Sequence, residues 1–97
     1  MSYEVEICFD GSENFFQGHF PEFPILPGVM QLKLAHDYAE KMLGREIKLH
    51  AVKKMKFVHV IRPRDRVMLR LEEKGEGSIL YVFSKGDTIC SSGVLAF

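Results

Sequence analysis

Between Gly28 and Leu43 the apolar residues recur with a period near 3.6, and nowhere else in the 97-residue chain do they. Leu32, Leu34, Ala35, Tyr38, Ala39, Met42 and Leu43 cover a wide arc. Lys33, His36, Asp37, Glu40 and Lys41 fall at three- and four-residue spacings on one narrow polar stripe. An apolar arc that wide has to be covered, and a lone helix has no second helix to cover it. The rest of the chain must therefore supply a sheet.

The remaining segments read as strands. Residues 3–9 form a first strand, followed by a turn at Asp10, Gly11, Ser12, Glu13 and Asn14. Gly44 ends the helix. After it the period becomes two: residues 47–61 carry Met55, Phe57, His59 and Ile61 on one face, and residues 66–73 set Val67, Leu69 and Leu71 opposite Arg66, Arg70 and Glu72. Glycine-containing turns at 74–77 and 85–87 separate these from strands at 79–84 and 88–97. The order strand, loop, helix, meander predicts a single α+β domain over residues 1–97 in which an antiparallel sheet packs on one long helix.

Composition narrows the function classes. Thirteen basic residues balance thirteen acidic ones, which gives no global case for nucleic acid, and no apolar run approaches the length of a membrane span. Nothing near residue 1 has the pattern of a secretory signal, so a cytoplasmic protein is expected. Cys8 and Cys90 lack metal-ligand spacing and sit in apolar runs, where free buried thiols are expected. His59 lies between Phe57 and Ile61 without a companion ligand, which predicts packing in the core or at an interface, and His50 should be exposed. Charge is uneven locally: Lys53, Lys54, Lys56, Arg62, Arg64, Arg66 and Arg70 surround a single acid, Asp65. That run either protects a solvated strand or docks an acidic partner.

The chemistry-bearing segment precedes the helix. Residues 15–30 hold one histidine, His19, among Phe15, Phe16, Phe20 and Phe23, with Pro21, Pro24 and Pro27. Each proline biases its predecessor toward extended backbone, so Phe20, Phe23 and Leu26 should be extended and His19 held in place. Pro27 and Gly28 open the helix, where the first N–H groups point outward and a glycine lets a ligand approach them.

These residues resemble a known family. Gly18-His19-Phe20-Pro21, Pro24-Ile25 and Leu26-Pro27-Gly28-Val29-Met30 are similar to the signature of the β-hydroxyacyl-(acyl carrier protein) dehydratases of the FabZ type, and in detail to the small ApeI-like dehydratases. The resemblance implies a hotdog fold, with the sheet wrapped around the helix. It also implies elimination of water from a 3-hydroxyacyl thioester to the trans-2-enoyl thioester, in fatty-acid or polyene-type lipid biosynthesis. The acyl group would ride on the phosphopantetheine of acyl carrier protein or on coenzyme A, with no metal and no dissociable cofactor. A homodimer or trimer of dimers, or pairing with a homologous dehydratase subunit, would share each cleft between protomers.

Elimination needs a base for the α-proton, donors for the enolate-like oxygen and an acid for the departing hydroxyl. His19 suits the first role: an imidazole titrates near about 6.5, and apolar walls from Phe16, Phe20 and Phe23 favour its neutral form. Gly28 suits the second, flanked by Pro27 and Val29 as substrate contacts. For the third, the resemblance implies an acidic residue five positions after Gly28, but Lys33 stands there. Burial would lower a lysine's pKa toward usefulness; Asp37 is the nearest carboxylate on the same stripe, and His36 lies beside it. The same residues also fit two other readings: Lys33–Asp37 and His36–Glu40 as ion pairs on a surface stripe in a partner-dependent acyl-binding subunit, or Asp37 activating water in a hotdog thioesterase. Lys53, Lys54, Arg62, Arg64 and Arg66 are the expected carrier-docking residues.

Overall fold

The computed structural model describes residues 1–10 and 25–97. Five strands and one helix follow in the order β1 (Ser2–Ile7), α1 (Gly28–Leu43), β2 (Ala51–Phe57), β3 (Val67–Glu73), β4 (Ser78–Lys85) and β5 (Thr88–Ala96). All the strand pairings are antiparallel, and the sheet runs β1-β3-β4-β5-β2. The connection from β2 to β3 crosses past β5 and β4, which leaves β1 and β2 as the outer strands.

Alternation explains which face is buried. Val67, Leu69 and Leu71 of β3 and Ile79, Tyr81 and Phe83 of β4 point to the same side and are buried together, while Arg70 faces solvent. Register aligns them into rows: Val5, Leu69, Phe83, Ser91 and Phe57 cross all five strands, and Tyr3, Leu71, Tyr81 and Gly93 form the row beside them. Onto this face α1 lays Gln31, Ala35 and Ala39, a ridge of four-residue spacing that is its most buried part. Small side chains on that ridge let the helix sit close to the sheet. Tyr38 extends the contact outward by stacking on Tyr3 of β1, ring centres 6.1 Å apart.

Two departures from the sequence expectations have local causes. The strand read over 47–61 is confined to Ala51–Phe57. Its beginning is drawn to the helix, because the His36 ring nitrogen Nε2 donates to the Ile47 carbonyl (2.9 Å) and the Ile47 N–H donates to the Glu40 carboxylate (2.9 Å). Within the strand, Lys53 pairs with Val94 and Lys56 with Ser92, so two residues, Lys54 and Met55, oppose one, and Lys54 takes φ 54°. This bulge resets the alternation: Phe57 turns toward the helix while Met55 lines the opposite face. His59 is exposed rather than packed in the core of the chain.

Cys8 is the second departure. Tyr3, Val5 and Ile7 take the inward parity of β1, so Cys8 turns out and is exposed; Cys90 is buried as expected, and both thiols are free. Cys90 and Ser91 are consecutive yet both buried, because the β4–β5 register shifts between Phe83 and Ser84. The displaced Cys90 carbonyl then accepts from the N–H groups of Val58 (2.8 Å) and His59 (3.1 Å).

The Asp65–Lys85 ion pair helps to hold the connection from 58 to 66. Asp65 Oδ2 accepts from the Arg62 N–H (2.8 Å) and from the Lys85 ammonium (3.1 Å), which also donates to the Val60 carbonyl (3.0 Å). Burial alone would raise the Asp65 pKa, but the Arg62 N–H and the Lys85 ammonium together outweigh it and hold the carboxyl below its ordinary value near 3.8. A depressed carboxyl stabilises the fold above its unfolded pKa and loses that contribution as pH falls through the folded value. Asp65→Asn should therefore flatten the acid limb of the stability curve, seen as a smaller difference between urea midpoints at neutral pH and below pH 4. Gly93→Ala should cost about 1–3 kcal/mol in urea unfolding, since a Cβ there would lie 2.7 Å from the buried Tyr81 ring.

Candidate acyl-thioester site at the helix N-terminus

Pro27 precedes the helix in extended geometry (φ −61°, ψ 147°), and its carbonyl accepts from Met30 (3.0 Å) and Gln31 (3.1 Å). The N–H groups of Gly28 and Val29 lie ahead of the first intrahelical bond, at the positive end of the helix dipole. Gln31 fixes where that end sits. Only 4% exposed, its side-chain amide donates to the Leu26 carbonyl (3.1 Å) and accepts from the Ser91 hydroxyl of β5 (2.6 Å). Leu26 is anchored in turn, its N–H donating to the Ile61 carbonyl (2.7 Å).

Beside this clamp runs a groove of about 330 Å³ lined by Ile25, Leu26, Gly28, Gln31 and residues 57–60. Phe57 lies so close over Gly28 that a Cβ on residue 28 would come within 2.8 Å of its ring. Residue 28 is in ordinary helical geometry, so a side chain there would have to push the Phe57 ring aside rather than strain the backbone. The groove thus combines apolar walls with the Gly28 end of the helix, whose first N–H groups have no partner within the helix itself, an arrangement suited to a carbonyl carried on an apolar chain.

The sequence-predicted residues divide between two faces of the helix. Pro27 and Gly28 belong to the groove end just described. Val29, 72% exposed, lies with Lys33 and His36 along an open depression against residues 47–49. Lys33 Nζ donates to Asp37 Oδ2 at 2.8 Å on the exposed stripe. This hydrogen bond first, and the Asp37 charge second, raise the Lys33 pKa. Within the chain the shift is opposite to the lowering expected from burial, because Lys33 is exposed. His36 is turned to Ile47 and lies 3.4 Å from Glu40 and 3.6 Å from Asp37. The possible ligand atoms of His36, Asp37 and Glu40 fall within 4.8 Å of one another, but each side chain already has a backbone or lysine partner. His19, Phe16, Phe20 and Phe23 lie outside the described residues.

Among the basic residues, Lys53 and Lys54 are on β2, whereas Arg62, Arg64 and Arg66 are exposed on the connection that continues from the groove wall. Sequence reasoning missed Gln31, Phe57 and Val58–Val60. Gln31 had a signal, a polar residue in register with Ala35 and Ala39 on the buried ridge. The approach of Phe57 to Gly28 had none, since it depends on the β2 bulge and on the helix docking.

Comparison with known proteins agrees with this architecture. The family model of the ApeI-like proteins, described as ApeI dehydratase, matches residues 1–94. The 3-hydroxyacyl-[acyl-carrier-protein] dehydratase FabZ of Levilactobacillus brevis is 33% identical over 89% of this chain and 66% of its own. The FabZ of Chlamydia muridarum is 35% identical over 89% of this chain and 65% of its own. The chain therefore spans just under two thirds of the length of these curated relatives. Among solved structures, the dehydratase heterocomplex ApeI:P from Xenorhabdus doucetiae superposes with TM-score 0.89 at 22% identity, over 98% of this chain and 85% of that one. An uncharacterized protein from Erwinia carotovora subsp. atroseptica superposes with TM-score 0.76 at 29% identity, over 98% and 81%. A five-stranded antiparallel sheet packed on one long helix, a family model covering almost every residue and FabZ relatives at a third identity together make this chain a hotdog-fold member of the ApeI-like dehydratase family.

Proposed function

We propose that the chain eliminates water from a 3-hydroxyacyl thioester, giving the trans-2-enoyl thioester, in fatty-acid or polyene-type lipid biosynthesis. The observation that carries this reading is the clamped helix start: Gly28 and its neighbouring N–H groups open onto an apolar groove, held there by the buried Gln31 amide. A thioester carbonyl bonded to those donors has an acidified α-carbon. His19 takes the α-proton, the electron pair forms the new double bond and the C3–O bond breaks, with hydroxide leaving as water once an acid donates a proton. Membership of the ApeI-like family supports the same chemistry.

The acid is where this chain departs from a self-sufficient site. Lys33 is held protonated more firmly than an ordinary lysine, which makes it a poorer proton donor, and Asp37 is its hydrogen-bond partner. A second hotdog chain contributing to the cleft completes the machinery, either another copy or a homologous dehydratase subunit. The substrate arrives on the phosphopantetheine of an acidic carrier protein or on coenzyme A, and no metal or dissociable cofactor takes part. Arg62, Arg64 and Arg66, exposed beyond the groove wall, suit carrier docking better than Lys53 and Lys54 on the edge strand. No described helix is long and apolar enough to cross a membrane, and work on carrier-bound or coenzyme A thioesters supports a cytoplasmic reading.

Purified protein, alone and with a homologous dehydratase chain, should convert a 3-hydroxyacyl thioester to the conjugated enoyl product, and His19→Ala should lower that rate by about 100-fold or more. An intact fold with no conversion in either preparation, or an unchanged rate in His19→Ala, would sink the reading; release of free thiol would transfer it to a thioesterase. Gly28→Ala should leave the urea midpoint nearly unchanged, because the ring it displaces is 51% exposed, yet lower kcat/KM by about tenfold or more through the shifted groove wall.

A further inference from the structure

The connection between β2 and β3 holds the chain on both sides of the histidine motif. Its Ile61 carbonyl accepts from the Leu26 N–H (2.7 Å), and its Arg64 N–H donates to the Phe9 carbonyl. Phe9 and Leu26 flank the segment that carries His19, so one short stretch ties down both of its flanks. The two anchor residues, 61 and 64, are three positions apart and therefore lie within about 11 Å of each other.

That stretch has a fixed shape. Arg62, Pro63, Arg64 and Asp65 form a turn closed by the Asp65 N–H, which donates to the Arg62 carbonyl (3.1 Å). Proline suits the first central position of such a turn, but the second, Arg64, takes φ 68°, where glycine is relaxed and an arginine is strained. Strain of this kind persists only where the surroundings fix the backbone. Lys85, the last residue of β4, supplies the fixing contacts. Its ammonium donates to the Asp65 carboxylate (3.1 Å) and to the Val60 carbonyl (3.0 Å), and residues 60 and 65 bracket the two anchors. The same Asp65 oxygen accepts from the Arg62 N–H (2.8 Å). Side-chain exposures of 31% for Lys85 and 27% for Asp65 leave the pair less screened than one in open solvent. Val60 also lines the acyl groove, so a single cation ties the groove wall and the turn to the regular sheet.

We infer that Lys85, acting through Asp65 and the Val60 carbonyl, is a positioning residue for the elimination, setting the groove wall and both flanks of the His19 segment in place without touching substrate. The inference rests on the dehydratase reading above and goes beyond it by giving a part in the reaction to two residues outside the motif. The backbone of Lys85 pairs with Thr88 at the end of the β4–β5 hairpin, so replacing its side chain leaves the strand ladder intact.

The test compares Lys85→Met, which keeps an unbranched apolar stem without the charge, with Lys85→Arg in the full chain. Amide hydrogen exchange should show the Leu26 and Arg64 N–H groups exchanging about tenfold faster in Lys85→Met, while those of Leu69 and Leu71 within the sheet keep their wild-type protection. In the preparation that turns over substrate, alone or with a homologous dehydratase chain, the same variant should lose about tenfold in kcat with KM changed by less than about twofold, because alignment is lost and the binding groove is kept. Lys85→Arg should recover most of both effects. Unchanged exchange at Leu26 and Arg64 overturns the inference. Equal acceleration at Leu69 and Leu71 overturns it too, since that is a loosening of the whole fold, as does a wild-type kcat in a variant whose two amides are freed. Exchange is read without substrate, so a wild-type chain that turns nothing over and a Lys85 contact that holds nothing in place are separate results.

Discussion

The buried amide of Gln31 is the contact on which the geometry of the helix start depends. It is bonded to the Ser91 hydroxyl of β5 on one side and to the Leu26 carbonyl on the other, so helix, sheet and entry loop meet at one side chain. A polar group this deep is tolerated only because its carbonyl and an amide hydrogen are satisfied, and the directionality of those bonds gives the contact a position that apolar packing would leave free. Ser91 itself is available because the β4–β5 bulge turns it inward beside Cys90. An irregularity in the sheet thus places the hydroxyl that places the helix.

From that anchor the two faces of the helix take different work. The ridge of Gln31, Ala35 and Ala39 is buried against the sheet, and the groove end at Gly28 inherits its position from it. The row Val5, Leu69, Phe83, Ser91 and Phe57 carries the same registration across all five strands to the ring that covers Gly28. On the other face, Lys33 and Asp37 pair in solvent, while His36 and Glu40 hold the backbone of Ile47. That assignment makes His36 and Glu40 structural in the chain.

The basic residues, contiguous in sequence, are separated by the fold. Arg62, Arg64 and Arg66 follow the groove wall on a connection pinned by Asp65 and Lys85. Lys53, Lys54 and Lys56 instead sit on an outer strand, with a bulge that twists the edge. One run of charge therefore meets two different kinds of surface, one beside the site and one at the margin of the sheet.

The sequence by itself determined the α+β class, the bounds of the helix, the buried parity of β3 and β4, and the motif around His19 and Gly28, because each is written in local periodicity or in adjacent residues. It also placed Lys33 where the resemblance leads one to expect an acid. Only the tertiary structure decided that Phe57 would cover Gly28 and that His36 would serve Ile47, and it chose the Lys33–Asp37 pair in solvent from the alternatives the helix stripe left open. These follow from register shifts in β2 and β5 and from the docking of the helix. A bulge changes which face a side chain occupies without leaving a mark in the alternation that precedes it.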